Sequence, residues 1–353
     1  MRYTAVSILL AIGAALSSSG QATQAPAGDV LRADAALDGI LAPSSKIEKV
    51  KSGLGFAEGP VWVQEGGSGY LLFSDIPANA IFKMLANGET TKFFDRSGYT
   101  GSEDPDVRGI GAINNNGIAE VKLIGSNGIA IDPQGRIVFC AHGDRGVVRL
   151  ESGKRTVLAE RYQGKRLNSP NDLVFKSDGS LYFTDHVAGL RARDKDPNKE
   201  LPFQGVFLLK DGKLQLVIDN LGLPNGIALS PDEKVLYVGS LNGSDSKVLM
   251  RYDVRPDGTV AGGRVFFDMS ADKSAGNPDG MKVDEKGNVY ATGPGGVWII
   301  SPQGKHLGTI RTPELPANLA FGDADRRTIY MTARTSIYRI RGQIPGERRY
   351  SRQ

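Results

Sequence analysis

The stretch Leu223 to Ser240, LPNGIALSPDEKVLYVGS, sets a polar residue on a Pro-Asn-Gly step, then runs through a short apolar segment, a Pro-Asp turn and a second apolar segment. Two β-rich runs joined by turn residues read as a hairpin. The phrase returns five times, with anchors at Glu58 in AEGPVW, Asn127 in SNGIAI, Asn171 in PNDLVF, Asp279 in PDGMKV and Asn318 in ANLAF. Gly66, Gly135, Gly179 and Gly287 each fall eight residues after Glu58, Asn127, Asn171 and Asp279, where a hairpin needs a positive φ. Anchor spacings of 69, 44, 54, 54 and 39 residues suit a four-stranded unit with loops and exceed a leucine-rich or ankyrin repeat. Six such units predict an all-β fold, a six-bladed β-propeller. Closing the ring brings the first residue of each innermost strand, and so the six anchors, to one axial mouth.

The repeats occupy residues 46 to 341 and argue for one closed domain. Lys46 to Lys51 alternates like a strand and is expected to pair with Ser336 to Arg341, closing the ring and removing its free edges. Residues 23 to 45 read as a leader with one short helix, and 342 to 353 as a frayed tail. Residues 1 to 22 combine Arg2, an apolar run from Ala5 to Leu16 and the small-residue step Gly20-Gln21-Ala22, the pattern of a signal peptide. Export, periplasmic or secreted, is the expectation; the run is shorter than the ~20 residues of a membrane span. A net charge of +4 from interspersed signs gives no nucleic-acid footprint. Cys140, the only cysteine, reads as a small buried hydrophobe. A polar insertion from Asp95 to Glu120 reads as either a lid over the mouth or a surface loop. No signature distinguishes a monomer from a small homo-oligomer.

Glu58, Asn171, Asn225 and Asp279 offer two carboxylates and two carboxamides at equivalent places in their repeats. Oxygen donors with two balancing charges suit a hard divalent cation, Ca2+ first and Mg2+ or Mn2+ second. The absence of His and Cys among the anchors argues against zinc or copper. Taken singly, an Asn or Asp beside Gly needs no explanation beyond turn chemistry. Convergence of the set on one axis favours a metal centre with a central metal-binding channel, and glutamate, a poor turn residue, strengthens that reading.

The motifs AEGPVW, SNGIAIDPQGRIVFCAHGDR, SPNDLVFKSDGSLYFTD, LPNGIALSPD and NPDGMKVDEKGNVYATGPGGVWIISPQG occur in an order that resembles the SMP-30/gluconolactonase/LRE-like family, of senescence marker protein 30 and gluconolactonase. The resemblance covers about residues 46 to 341. It implies a six-bladed propeller with a divalent metal in the axial channel, held by Glu58, Asn171, Asn225 and Asp279. It also implies that Asn127 faces the same pocket toward substrate or water, and that Asp279 is both ligand and general base or nucleophile. Where many relatives read FTDPPYGL this chain reads FTDHVAGL, placing His186 and Val187 at the pocket mouth.

The reaction expected is hydrolysis of a small polar lactone, with Asp279 as base, Asp172 as its weaker rival, and His142, Arg145 and His186 as substrate contacts. The rivals are phosphotriester hydrolysis on the same scaffold, and an exported propeller that binds a ligand without catalysis.

Overall fold

Each anchor stands at the start of the innermost strand of an antiparallel sheet, Asp279 two residues before its strand Met281–Val283 and the others within theirs. The computed structural model describes residues 27–114, 120–242 and 246–347, so the predicted signal peptide lies outside the described residues, as do 348–353 of the tail. Blade one runs outward through Ala57–Glu65, Ser68–Asp75, Ala80–Leu85 and Thr90–Asp95, and blade four through Leu223–Leu229, Val235–Leu241, Lys247–Val254 and Val260–Asp268. Blades two and three repeat this order from Ser126 and Pro170. Blade six takes its three inner strands from Asn318 to Arg341 and its outer one from Ile47–Lys51, with Ile47 opposite Ile340 and Lys49 opposite Tyr338. The ring closes as the alternation at Lys46 to Lys51 predicts. The six-bladed, all-β architecture is the one that the repeats imply.

Two terminal segments contribute more than expected. Asp29–Arg32, within the presumptive leader, pairs with His306–Arg311 as a fifth strand of blade five. Leu37 and Leu41, beside the short 3-10 turn Ala35–Gly39, are fully buried in the core between blades five and six. The start of the tail is docked as well, with Ile344 buried and Glu347 N bonded to Val283 O. Apolar side chains fill these inter-blade positions because the strands alternate between two flanking blades, leaving neither sheet face to solvent.

The hairpin glycines behave as predicted, with φ of 54° at Gly66, 76° at Gly135, 86° at Gly179 and 82° at Gly287. The other two repeats carry Glu233 and Arg326 at the same offset, and both adopt a positive φ, 58° and 55°. The Glu233 carboxylate bonds Ser177 N (2.6 Å) and Ser177 Oγ (2.8 Å), which offsets its backbone cost and ties blade four to blade three.

The glycines that directly follow the anchors serve another purpose. A side chain on Gly226 would place its Cβ 1.9 Å from Asp279 O, one on Gly59 2.0 Å from Asn127 O, and one on Gly280 2.0 Å from Asn318 Cγ. At Gly59 and Gly226 neighbouring inner strands touch backbone to backbone, at Gly280 the Asn318 side chain packs on the backbone, and only a residue without Cβ permits either.

The insertion after blade one lies over the anchor end of the ring. Gly111 N bonds Gly189 O (2.8 Å), Arg191 N bonds Gly109 O (2.9 Å), and Ala112–Asn114 pairs with Glu120–Lys122. Val121 and Leu123 join Phe56, Ile76 and Ala317 in an apolar cluster, packing the insertion onto residues just before Glu58 and Asn318. Residues 115–119, part of the INNNG stretch, lie outside the described residues. Among the described residues no helix is long and apolar enough to cross a membrane.

Candidate active site at the ring mouth

Local sequence explains how the anchors are aimed. In blades one, three and four the pairing register shifts between Glu58 and Val61, Pro170 and Leu173, and Pro224 and Ile227, so a bulge brackets the anchor and redirects its side chain. The second strand then braces it. Asp75 accepts from Gly55 N (3.0 Å) and Phe56 N (3.1 Å), and Asp185 from Asn168 N (2.8 Å) and Ser169 N (2.7 Å), fixing the loops that lead into Glu58 and Asn171. Hydroxyls hold the anchor backbones: Thr184 Oγ1 donates to Asn225 O (2.7 Å), and Thr292 Oγ1 accepts from Asp279 N (3.0 Å). Ser74, Thr184, Thr292 and Thr332 occupy this place in four of the six second strands, with Cys140 and Gly239 in the other two.

Three of the four candidate ligands form one chain of contacts. Asn171 Nδ2 donates to Asn225 Oδ1 (2.5 Å), and Asn225 in turn hydrogen-bonds the Asp279 carboxylate. Glu58 is held from the other side, its Oε2 accepting from Gly59 N and from Asn318 Nδ2 (3.0 Å). Leu319 N (2.8 Å) and Lys282 Nζ (3.4 Å) both donate to Asn318 Oδ1, which fixes the orientation of that amide. Asn318 is therefore a brace for Glu58 rather than a bystander. Asn127 is buried within the same ring, and its carbonyl accepts from Ser74 Oγ (2.8 Å).

The electrostatics of this ring are lopsided. Burial, then repulsion from Asp279, pushes the Glu58 carboxyl well above its ordinary value. Burial likewise raises Asp279 to about 7, against the pull of Arg334 and with Asp172 adding repulsion. Asp172 Oδ1 accepts from Leu173 N (2.9 Å), while its buried Oδ2 has no partner. Three carboxylates thus share a desolvated mouth with too little positive charge, and an oxygen is left over. Among the described residues no three His, Cys, Asp or Glu side chains are clustered closely enough to hold a metal by themselves. Any cation held here would depend on the carboxamides of Asn171 and Asn225 beside the carboxylates of Glu58 and Asp279. That hard-oxygen set suits Ca2+, Mg2+ or Mn2+.

The remaining predicted residues surround this ring at different depths. His186 Nε2 lies 2.7 Å from Asn171 Nδ2, and its Nδ1 accepts from Ala188 N (3.1 Å). Burial, then the neighbouring His142, lowers His186 to about 3, and burial lowers His142 to about 4, so both rings are neutral at pH 7. His142 Nδ1 meets Pro170 O (3.2 Å), while its Nε2 has no partner and lies beneath Gly189, where any Cβ would stand 2.6 Å from it. His142 therefore stands behind the wall of the mouth rather than on its surface. Arg145 is occupied with backbone, donating to Leu167 O (2.8 Å) and Asn198 O (2.8 Å). Cys140 is fully buried, and burial raises its thiol.

An axial cavity of about 170 Å3 lies below the ring, lined by apolar inner-strand residues such as Val61, Ile129, Leu173 and Ile227 together with charged residues such as Lys282 and Asp323. None of the six anchors lines it, so the anchor chemistry sits at the mouth and apart from this cavity.

Comparison with known proteins matches residues 56–335 to the SMP-30/Gluconolactonase/LRE-like region. The chain belongs to the SMP-30/gluconolactonase/LRE-like family. Among members of that family, the gluconolactonase of Zymomonas mobilis is 34% identical over 346 residues, covering 95% of this chain and 92% of its own. The diisopropyl-fluorophosphatase of Loligo vulgaris is 24% identical over 318 residues, covering 86% of this chain and 94% of its own. A solved structure of a gluconolactonase from Xanthomonas campestris superposes with a TM-score of 0.72 at 29% identity, covering 90% of this chain and 99% of that one. These likenesses support a hydrolase of lactonase type on the gluconolactonase propeller.

Two features of the family site escaped sequence reasoning. The repeated hydroxyl of the second strands was visible in FSD, FTD, ATG and MTA, but only pairing shows that it faces an anchor. Arg334, whose charge acts on both Asp279 and Glu58, follows no repeated pattern.

The hairpin that carries Arg334 is clamped by Glu314, which accepts from Thr335 N (2.9 Å), Thr335 Oγ1 (2.7 Å), Ser336 Oγ (2.5 Å) and Tyr338 Oη (3.0 Å). Burial alone would raise this carboxyl, but those hydrogen bonds bring it to about 2 from the ordinary 4.5. A carboxylate depressed in the folded state contributes stability above its unfolded pKa, which is lost as pH falls through its folded pKa. Melting temperatures should therefore separate wild type from Glu314→Gln at pH 7 and converge between pH 4.5 and about 2. A constant gap down to pH 2 would show that the clamp acts through shape alone.

Proposed function

We propose that this protein is an exported, divalent-cation-dependent lactonase that opens a small polar lactone at the mouth ringed by Glu58, Asn171, Asn225 and Asp279. The observation that carries the reading is the surplus of buried negative charge at that mouth, where Glu58 and Asp279 are both pushed toward neutrality and Asp172 Oδ2 is left without a partner. Such a site wants a cation, and the donors present are those a hard cation takes. Kinship with the gluconolactonases supports the reaction class.

When bound, the cation would polarise the lactone carbonyl and neutralise the two carboxylates. Glu58, held by Asn318 and Gly59, and the Asn171–Asn225–Asp279 chain would hold it. Asp279 removes a proton from the attacking water, a role that suits a carboxylate shifted toward neutrality. Water adds to the carbonyl carbon, the ring C–O bond breaks, the alkoxide takes a proton, and a hydroxy acid leaves. Asn127 hydrogen-bonds the substrate from the second blade. The insertion from Asp95 to Glu120 roofs the mouth and limits the entry of water.

The test is acid release from D-glucono-1,5-lactone followed by pH-stat after exhaustive chelation, then after return of Ca2+, Mg2+ or Mn2+ singly. Activity should vanish with chelator and return with at least one ion. Undiminished hydrolysis in chelator would remove the cation from the reaction. Parallel assay of a phosphotriester decides whether the activity of the squid relative is shared.

A further inference from the structure

Arg334 is a half-buried cation at the mouth. It sits in the two-residue turn between Thr328–Ala333 and Ser336–Arg341, with φ of 52°, a conformation that costs a non-glycine residue free energy. Its backbone is nonetheless firmly placed. Arg334 O accepts from Ala57 N (2.8 Å), directly before Glu58, and Thr335 is gripped by Glu314. The guanidinium lies over the Phe56 ring, 5.1 Å from its centroid, and Phe56 is packed under the roofing insertion. Among the described residues that guanidinium makes no hydrogen bond and no ion pair, although it feels the charges of Asp279 and Glu58. A planar group with five donors, stacked on an aromatic face and held on a braced but strained turn, is a preorganised fork for an oxyanion.

We propose that Arg334 determines specificity by binding an anionic group, a carboxylate or phosphate, at the end of a sugar-acid lactone distal to its carbonyl. The inference rests on the lactonase reading and deepens it, naming the substrate class as an anionic sugar lactone. Its geometry divides the mouth in two. The reacting carbonyl faces Glu58 and Asp279, and the anion lies toward blade six under the edge of the roof, where Phe56 and Arg334 form a stacked pair.

The experiment uses the full chain in saturating Ca2+. It compares kcat and KM for D-glucono-1,5-lactone, its 6-phosphate and the carboxylate-bearing D-glucaro-1,4-lactone, in wild type, Arg334→Met and Arg334→Lys. The ratio of kcat/KM for anionic over neutral lactone should fall about 10- to 100-fold in Arg334→Met, the range expected for charge-assisted hydrogen bonds. The fall should appear mainly in KM, with partial recovery in Arg334→Lys. The phosphate and carboxylate arms show which oxyanion is preferred. Calorimetric titration with gluconate and with 6-phosphogluconate gives a second readout independent of turnover. A wild type that prefers neither ligand overturns the assignment. So does an unchanged ratio in Arg334→Met accompanied by tighter Ca2+ binding, which would make Arg334 a counter-charge for Glu58 and Asp279. If wild type hydrolyses none of the lactones, the lactonase reading falls, and the binding preference still decides the role of Arg334.

Discussion

Replacing Asp279 with asparagine is expected to lower kcat on D-glucono-1,5-lactone by about 10^2- to 10^4-fold, the usual contribution of a positioned base. The same variant should be more stable than wild type when no divalent ion is present. The two effects have one source. Asp279 and Glu58 repel each other in a buried mouth, and an isosteric neutral side chain removes that repulsion along with the base. The sign in pH follows from linkage. Because burial raises Asp279 from 3.8 to about 7, the folded state binds more protons than the unfolded state between those values. Stability of the cation-free wild type must therefore fall as pH rises through that window. Asp279→Asn should flatten the fall, as read from denaturant midpoints at pH 4, 5.5 and 7. Wild-type turnover in this variant would reassign the base, with Asp172 next in line. A stability profile identical to wild type would show that the pair is already neutralised by something other than a cation.

The second large effect is at the axis. Gly226→Ala puts a methyl group 1.9 Å from the carbonyl oxygen of Asp279, and the obstacle is backbone, which cannot rotate away. The inner strands of blades four and five must separate, at a cost of about 3 kcal/mol, the upper end of overpacking penalties. Since the atom displaced belongs to a proposed ligand, cation affinity should fall together with stability. Gly39→Ala is the control, because nothing lies within 4 Å of its added Cβ; its change should stay within about 0.5 kcal/mol. Urea unfolding with and without Ca2+ measures both. If Gly226→Ala were as benign as Gly39→Ala, the close approach of the inner strands would not be a constraint on this fold.

Much of this architecture was legible because a propeller writes the same local physics six times. Hairpin glycines, apolar alternation and a polar first residue recur together, and their recurrence converts weak single signals into a strong joint one. The ring closure through Ile47 and Ile340 followed from alternation plus the need to cover an edge. What did not show was anything fixed by contact between different blades. Asn318 looked like an anchor with no role, yet pairing sets its amide against Glu58 and its carbonyl oxygen against Lys282. His142 looked available for substrate, and only the position of Gly189 shows that it is covered. Arg145 read as a donor for a sugar acid, but its guanidinium is engaged by Leu167 and Asn198 carbonyls. The leader was underestimated because four residues, Asp29–Arg32, are too few to carry a pattern, although they complete a sheet.

The glycine that follows four of the six anchors also acquired a different meaning. In sequence it reads as turn chemistry beside Asn or Asp. In the ring, Gly59, Gly226 and Gly280 each permit contact with the next blade's anchor residue. Blade six departs from the pattern with Leu319, and blade three with Asp172, whose Oδ1 lies 2.6 Å from a Cβ built on Gly128. The break in blade three and the third carboxylate at the mouth are thus the same residue.

The seam of blade six has a temporal consequence. Ile47 finds its strand partner only at Ile340, and Asp29 only at Arg311, so the first strands made during synthesis wait for nearly the last. Until then the nascent chain holds unpaired strand edges, and no order of blade formation can close the ring early. A chain built this way reaches its finished shape only after its C-terminal blade has emerged. That delay leaves the chain exposed to aggregation for the whole of its synthesis, and under the proposed export it would also keep the chain threadable through a narrow pore.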